Sequence, residues 1–274
     1  MAGHLTDKQD SHNSLLGAND LHIWFIRTPS KALPEDLSPL QTCLSAQEHD
    51  RYRRLQRPDI RQNFLLSRGC LRYVLSIYLN CSPPALNFSL GRYGKPELKA
   101  DRPSLQFNLS HTQERIAIAL HSHNPVGIDI ERVRPITHLE KLCQRCLTRG
   151  EATTVLYLDQ PSASHRFFQY WTAKEAILKA MGLGLSYPMK HVEVFLETVN
   201  LTNQPATIPM ALPSHPHPSA LLNSAPVLDG YRLYQWQPEA NGIAAVAIQD
   251  ATPGTPPVFN LHYTTPLELL KRYS

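Results

Sequence analysis

The stretch Val126-Gly-Ile-Asp-Ile-Glu-Arg-Val133 governs how the rest of the chain is interpreted. Ile128 and Ile130 alternate with Asp129 and Glu131, which is the period of a half-buried strand. Both carboxylates should project from one face while both isoleucines pack behind them. Neighbouring carboxylates raise each other's pKa unless a cation lies between them, and Mg2+ binds one or two carboxylates together with substrate phosphates. A solvated edge strand is the alternative, and the stretch alone does not decide between the two.

Length and composition are those of an ordinary globular protein. The chain has 274 residues, 42% of them hydrophobic and 18% charged, with a formal charge of +4, so an anionic ligand is compatible and nucleic acid is not required. No apolar run approaches the roughly 18 residues of a membrane helix. The five cysteines form an odd, sparse set that fits reduced thiols. We therefore expect a cytoplasmic protein that binds neither nucleic acid nor membrane.

The order strand, helices, long helix, strands occurs once before Pro125 and again after it, which predicts two similar halves. The polar residues 1–19 lack periodicity and are expected to form a disordered leader. We place the N-terminal half at residues 20–124, the C-terminal half at 125–252 and a tail at 253–274.

The first half contains an arginine-rich pair of helices. Ser45 with Glu48 predicts a capped helix, and Pro58 begins a longer one that reaches about Asn80. This span has no lysine but contains Arg51, Arg53, Arg54, Arg57, Arg61, Arg68 and Arg72. Helical spacing places the last three on one face, which predicts either a phosphate-binding surface or a solvated helix face.

The second half contains a long helix from His165 to Met181. Trp171, Glu175 and Lys179 are spaced four apart and therefore share one face of it. The last two could form an ordinary helical salt bridge worth about 0.2–0.5 kcal/mol, so the spacing alone does not establish a site.

Two shorter motifs lie between these helices. Gly94-Lys95-Pro96 predicts a rigid turn that presents a lysine. Asn108-Leu109-Ser110-His111 predicts a strand that ends in a histidine. Each motif is common by itself.

Four motifs follow one another along the chain: Gly94-Lys-Pro, Asn108-Leu-Ser-His, Gly127-Ile-Asp-Ile-Glu, and Trp171-Thr-Ala-Lys-Glu through Lys179. In this order and spacing they closely resemble the motifs of the 4'-phosphopantetheinyl transferases of the longer, single-chain surfactin-synthetase-activating type. The resemblance covers roughly residues 20–250. It implies an α+β fold of two similar α/β halves related by pseudo-two-fold symmetry, with coenzyme A in the cleft between them. It also implies a monomeric enzyme that moves phosphopantetheine from coenzyme A to a serine of an acyl, peptidyl or polyketide carrier protein and releases adenosine 3',5'-bisphosphate.

The resemblance assigns roles to single residues around the diphosphate. Mg2+ would be bound by Asp129, Glu131 and Glu175. The diphosphate would be contacted by His111, with Ser110 beside it, and by Lys179, with Lys174 as a second lysine candidate.

At the nucleotide end of coenzyme A, the resemblance implies a contact from Lys95. Relatives often place lysines on the first helix to hold the 3'-phosphate, and one such position falls near Glu48, whose negative charge cannot hold a phosphate. Arg51 and Arg54 are the remaining candidates.

The chemistry of phosphoryl transfer agrees with these roles. Charge neutralisation by the metal, Lys179 and His111 would stabilise the transition state, and Glu175 is our candidate base for the serine hydroxyl. Two alternatives stay open. An arginine-rich nucleic-acid-binding protein would leave the three carboxylates unexplained, and a Mg2+-dependent diphosphate hydrolase would use water in place of serine.

Overall fold

The computed structural model describes residues 15–28, 37–99, 105–196, 202–208, 210–211, 230–249 and 255–272. The N-terminal half contains β1 (Asp20–Arg27), α1 (Ser38–Gln41), α2 (Ala46–Arg54), α3 (Pro58–Leu79), β2 (Phe88–Leu90), β3 (Pro96–Leu98), β4 (Gln106–His111) and β5 (Arg115–His121). The C-terminal half contains β6 (Val126–Arg132), α4 (Leu139–Cys146), α5 (Arg149–Leu156), α6 (Ser162–Ala180), β7 (Glu193–Val194), β8 (Ala206–Ile208), β9 (Met210–Ala211), β10 (Tyr231–Trp236) and β11 (Gly242–Gln249). They are followed by β12 (Val258–Thr264) and α7 (Pro266–Arg272).

Two four-stranded sheets with the same central topology organise these elements. The first sheet contains the antiparallel order β1-β5-β4, and the second contains the antiparallel order β6-β11-β10. In each case the first strand of the half pairs with the last, and the last pairs with the strand before it. The predicted α+β fold with two similar halves is confirmed at this level, while the division of the chain at residues 124 and 125 stays a prediction.

The outer strands of the two sheets differ. β8 extends the second sheet beside β10, whereas β12 extends the first sheet in parallel beside β1. The segment expected to be a tail therefore supplies a strand of the first sheet. Of the expected leader, residues 1–14 lie outside the described residues, and Leu16 is buried in the core of the first half.

The predicted starts of α2 and α3 agree with the local capping chemistry, whereas α6 begins at Ser162, three residues before the predicted His165. Ser45 and Glu48 form a reciprocal capping box at α2, which satisfies two main-chain N–H groups that the helix leaves unpaired. Pro58 occupies the first turn of α3, where a missing N–H has no consequence, and Asn80 ends that helix in the left-handed region with φ of 45°.

The helices lie on the outside of two sheets that pack against each other. One apolar core joins α1, α3 and α7 to the first sheet, and another joins α4, α5 and α6 to the second. A third core lies between the sheets and includes Ile128 and Ile130, as the alternation in β6 predicts. Within the described ranges, no helix combines the length and apolarity needed to cross a lipid bilayer.

Candidate functional site

The candidate site forms where α6 packs directly on β6. Gly127 makes this approach possible, because a Cβ at residue 127 would collide with the Ala176 carbonyl oxygen and the Ala180 nitrogen of α6. The next β6 side chain on the same face is Asp129, which consequently meets Lys179 on the helix. The glycine of the motif thus sets the distance between the two charged elements.

The Lys179 ammonium is the centre of the charged cluster. Its Nζ lies 2.7 Å from Asp129 Oδ1 and 3.7 Å from Glu175 Oε2, and it also donates to Ser110 Oγ at 3.3 Å. Burial lowers the pKa of Lys179, but the charges of Asp129 and Glu175 outweigh burial and raise it above the ordinary value. Lys179 is therefore a charged group held between two predicted metal-binding carboxylates.

The two oxygens of Asp129 have different surroundings. Oδ1 accepts hydrogen bonds from Ser110 Oγ at 2.8 Å and from Lys179. Oδ2 is buried and has no hydrogen-bond partner within the part of the chain that the structure describes. A buried carboxylate oxygen without a partner requires an explanation, and coordination of a cation is the one that the neighbouring acidic groups favour.

The other two carboxylates are shifted towards their protonated forms. Burial and the charge of Asp129 raise the pKa of Glu175 to about 7. The same two causes raise the pKa of Glu131, whose Oε2 accepts a hydrogen bond from Arg134 at 3.1 Å. A cation placed between these carboxylates would offset their mutual repulsion.

The described residues do not form a complete metal cage. Among the described residues, no group of three or more histidine, cysteine, aspartate or glutamate side chains has the arrangement of a metal site. Mg2+ rarely needs one, since it is commonly held by one or two carboxylates, waters and substrate phosphates. The donor set around Asp129 fits that mode of binding.

His111 lines a cleft between the two halves. The cleft has a volume of about 680 Å3, and its walls include Asn63 of α3, His111 at the end of β4, and Glu131 and Arg134 from the second half. Burial and the Lys179 charge lower the pKa of His111, and Arg68 acts in the same direction. The imidazole is therefore neutral near pH 7 and retains one N–H to donate.

The predicted arginine face of α3 is not a single surface. Arg72 is buried, forms an ion pair with Glu48, and donates to the carbonyls of Pro83 and Leu86 at 2.8 and 2.9 Å. The interpretation of Arg72 as part of a phosphate-binding surface is therefore wrong. Its partners come from other elements, so helical spacing could not identify them.

The remaining arginines near the cleft have separate environments. Arg51 and Arg54 are exposed on α2, where Arg51 lies over the Phe64 ring and Arg54 donates to the Asp50 carbonyl at 3.1 Å. Arg68 is half-buried, and burial, together with Arg51, lowers its pKa. Its charge also acts on His111. Helical spacing grouped Arg68 with one helix face but did not mark it as a ligand contact.

The two remaining predicted lysines occupy different places. Lys95 donates to the Val126 carbonyl at 2.9 Å, and burial lowers its pKa to about 8. Lys174 has no exposed surface, forms an ion pair with Glu151, and donates to the carbonyls of Cys146 and Met189. The structure therefore brings Lys95 to β6 beside the cluster but keeps Lys174 away from it.

A sequence model of the 4'-phosphopantetheinyl transferase superfamily matches residues 125–223, which include β6 and α6. The chain is 33% identical over 239 residues to the 4'-phosphopantetheinyl transferase HetI of Nostoc sp. strain PCC 7120, and the alignment covers 86% of this chain and 90% of HetI. It is 28% identical over 199 residues to the 4'-phosphopantetheinyl transferase Sfp of Bacillus subtilis strain 168, and the alignment covers 73% of this chain and 84% of Sfp. Identity to the 4'-phosphopantetheinyl transferase ffp of Bacillus subtilis is 27% over 199 residues, with the same coverage.

Proposed function

Since this chain belongs to the 4'-phosphopantetheinyl transferase superfamily, we propose that it transfers the 4'-phosphopantetheine moiety of coenzyme A to a serine of apo carrier proteins, with Mg2+ held by Asp129, Glu131 and Glu175. Adenosine 3',5'-bisphosphate is the second product. One observation carries the metal proposal: Asp129 Oδ2 is buried, has no hydrogen-bond partner among the described residues, and lies beside two carboxylates whose pKa values are raised.

The charges of the cleft suit the binding of a diphosphate. When bound, Mg2+ would neutralise diphosphate oxygens and so favour attack at phosphorus. Lys179 adds a fixed positive charge beside the same carboxylates. His111, neutral because of burial and the Lys179 charge, offers an N–H to a diphosphate oxygen. These donors are held by the protein before the substrate arrives, which is the arrangement that makes electrostatic stabilisation effective.

Glu175 is the proposed base for the carrier serine. Its carboxylate lies 3.7 Å from Lys179 Nζ, beside the proposed diphosphate site, where a carboxylate can accept the proton of a positioned hydroxyl. The serine hydroxyl would transfer its proton to Glu175 as its oxygen attacks the phosphorus nearer the pantetheine. The bond that breaks joins this phosphorus to the oxygen that bridges the two phosphates.

The nucleotide end of coenzyme A is assigned to the first half. Lys95, Arg51 and Arg54 remain the proposed contacts, and we add Arg68 because its charge reaches His111 in the cleft. Glu48 is not available for the 3'-phosphate in any case, since it caps α2 and pairs with Arg72.

We further propose a monomeric, cytoplasmic enzyme that modifies acyl, peptidyl and polyketide carriers alike. Comparison of the transfer rates on purified carriers of the three kinds tests this breadth, and a preference of several orders of magnitude for one kind would contradict it.

The decisive experiment is intact-mass measurement of an apo carrier protein incubated with this protein and coenzyme A, with Mg2+ or with EDTA. We expect a gain of one phosphopantetheine that requires the metal and is lost in Asp129→Ala. A gain of the same size and rate in EDTA would contradict the metal role. Release of the bisphosphate without any carrier would instead favour the hydrolase.

A further inference from the structure

Among the residues that the structure describes, strand β6 has a main-chain partner on one edge only. β11 pairs with one edge, and the main-chain groups of the other edge point towards β4. Side chains bind these groups: Lys95 donates to the Val126 carbonyl at 2.9 Å, Asn108 accepts from the Ile128 N–H at 2.9 Å, Lys179 donates to the Ile128 carbonyl at 3.2 Å, and Ser110 accepts from the Ile130 N–H at 3.3 Å. We call this set of four side chains the side-chain ladder.

The ladder joins the two halves beside the candidate site. β4 uses its main chain to pair with β5, so it meets β6 through side chains instead. Asn108 and Ser110 are two residues apart on β4 and so point to the same side. Their bonds to the N–H groups of Ile128 and Ile130 hold the main chain of β6 at the residue before Asp129 and at the residue after it.

Asn108 is the ladder residue to which no other role has been assigned. Its side chain is buried, with 6% of the residue exposed, and its Oδ1 takes the place of a strand carbonyl for the Ile128 N–H. Ser110 and Lys179 bind Asp129 directly, whereas Asn108 binds the main chain at the residue before it. Its effect on the carboxylate must therefore pass through the position of β6.

We propose that Asn108 is a positioning residue: by binding the Ile128 N–H, it holds Asp129 in register with Ser110 and His111 and so sets the affinity of the cluster for a divalent cation. This inference rests on the proposed function, because it assumes that the cluster holds a metal. Removal of the acceptor leaves a buried N–H unpaired at the residue before Asp129, and the strand relaxes away from β4. The position of Asp129 Oδ2 changes with it.

Direct binding of Mn2+, measured from the electron paramagnetic resonance signal of the free ion in the presence of coenzyme A, tests this role, since Mn2+ accepts the same oxygen ligands as Mg2+. Asn108→Leu removes the acceptor and should weaken Mn2+ binding about tenfold or more, the range seen for outer-shell partners of metal ligands. Asn108→Asp retains the acceptor oxygen and should bind at least as tightly as the wild type. Asn108→Ser, whose hydroxyl is too short to reach the N–H, replaces Asn108→Leu if that variant does not fold.

The matched control is Leu75→Ala, which removes a buried side chain of α3 on the outer side of the first sheet. It should lower the melting temperature and leave Mn2+ binding unchanged. Equal weakening in Leu75→Ala and Asn108→Leu, or wild-type affinity in Asn108→Leu while the wild type transfers phosphopantetheine, overturns the positioning role. A wild type that neither binds Mn2+ with coenzyme A nor needs Mg2+ for transfer overturns the proposed metal site, and the positioning role with it.

Discussion

Strands β1 and β6 hold the same place in their sheets, yet their outer edges are closed by different means. β1 lies between β5 and β12, and its pairing with β12 runs from Asp20 opposite Val258 to Ile26 opposite Thr264. β6 pairs with β11 on one edge, and the side-chain ladder covers the other. One edge is therefore closed by main chain and the equivalent edge by side chains.

The difference explains why charged chemistry collects in the second half. A main-chain ladder has no spare donors or charges, so the edge beside β12 is structural. A lysine ammonium has three N–H groups, so Lys179 can donate to the Ile128 carbonyl of β6 and to Asp129 at the same time. A side chain that completes a sheet edge can in this way also present a charge to a ligand.

The largest effect on stability is expected for Lys174, the α6 lysine that is not part of the side-chain ladder. Lys174→Met should lower the free energy of unfolding by about 3–5 kcal/mol, because it leaves the buried Glu151 carboxylate without its cation. Urea denaturation measures the change. The double variant Lys174→Met with Glu151→Leu should recover part of the loss. A change below about 1 kcal/mol, the range of exposed ion pairs, would contradict the buried pair.

Lys179→Met should act mainly on the reaction instead. Loss of one preorganised charge beside the diphosphate should reduce the transfer rate about 10²- to 10³-fold. The exposed Lys190 offers a control, since Lys190→Met removes a charge of the same kind without touching the cluster. Single-turnover transfer rates of Lys179→Met and Lys190→Met are compared at saturating coenzyme A. Equal rates in the two variants would show that Lys179 has no part in the reaction.

The contrast between these lysines marks the limit of sequence-based reasoning. Both belong to one motif, and helical periodicity correctly placed Lys179 with Glu175. The fate of Lys174 depends on Glu151 of α5 and on the carbonyl of Met189. A single helix cannot reveal which of its faces other elements will cover.

Long-range pairing set a second limit. The sequence predicted β6 and both long helices because their periodicity is local. β12 carries no comparable signal, since it depends on β1 more than 200 residues earlier in the chain and its residues are only partly buried. The role of Asn108 also required knowledge that β4 and β6 meet, which no local pattern contains.

Gly127→Ala tests the close contact that brings Lys179 to the β6 edge. The added Cβ would collide with main-chain atoms of α6, and such overpacking should lower the free energy of unfolding by about 2–3 kcal/mol. Gly150→Ala is the matched control, because a Cβ at Gly150 would meet nothing within 4 Å. Urea denaturation of both variants gives the difference, and equal stabilities would mean that α6 moves freely over β6.

The edge of β1 that β12 closes leads to a smaller prediction, which concerns the dependence of stability on pH. The Nδ1 atom of His22 in β1 lies 3.3 Å from Nε2 of His262 in β12 and 2.7 Å from the hydroxyl oxygen of Tyr78. Burial and His262 lower the pKa of His22 to about 4, although Asp20 opposes the shift. The unfolded chain, with an ordinary pKa near 6.5, then binds the proton more readily than the folded one. The contribution of neutral His22 to the free energy of unfolding is therefore fully present above about pH 6.5 and is lost as the pH falls towards 4.

The size of this effect is on the order of 2 kcal/mol. Urea denaturation between pH 4 and 8 measures it as the difference between the wild type and His22→Gln, because titrating groups that are not coupled to His22 contribute equally to both. The wild type should lose more stability on acidification than the variant does. Parallel pH profiles would contradict a neutral, buried His22.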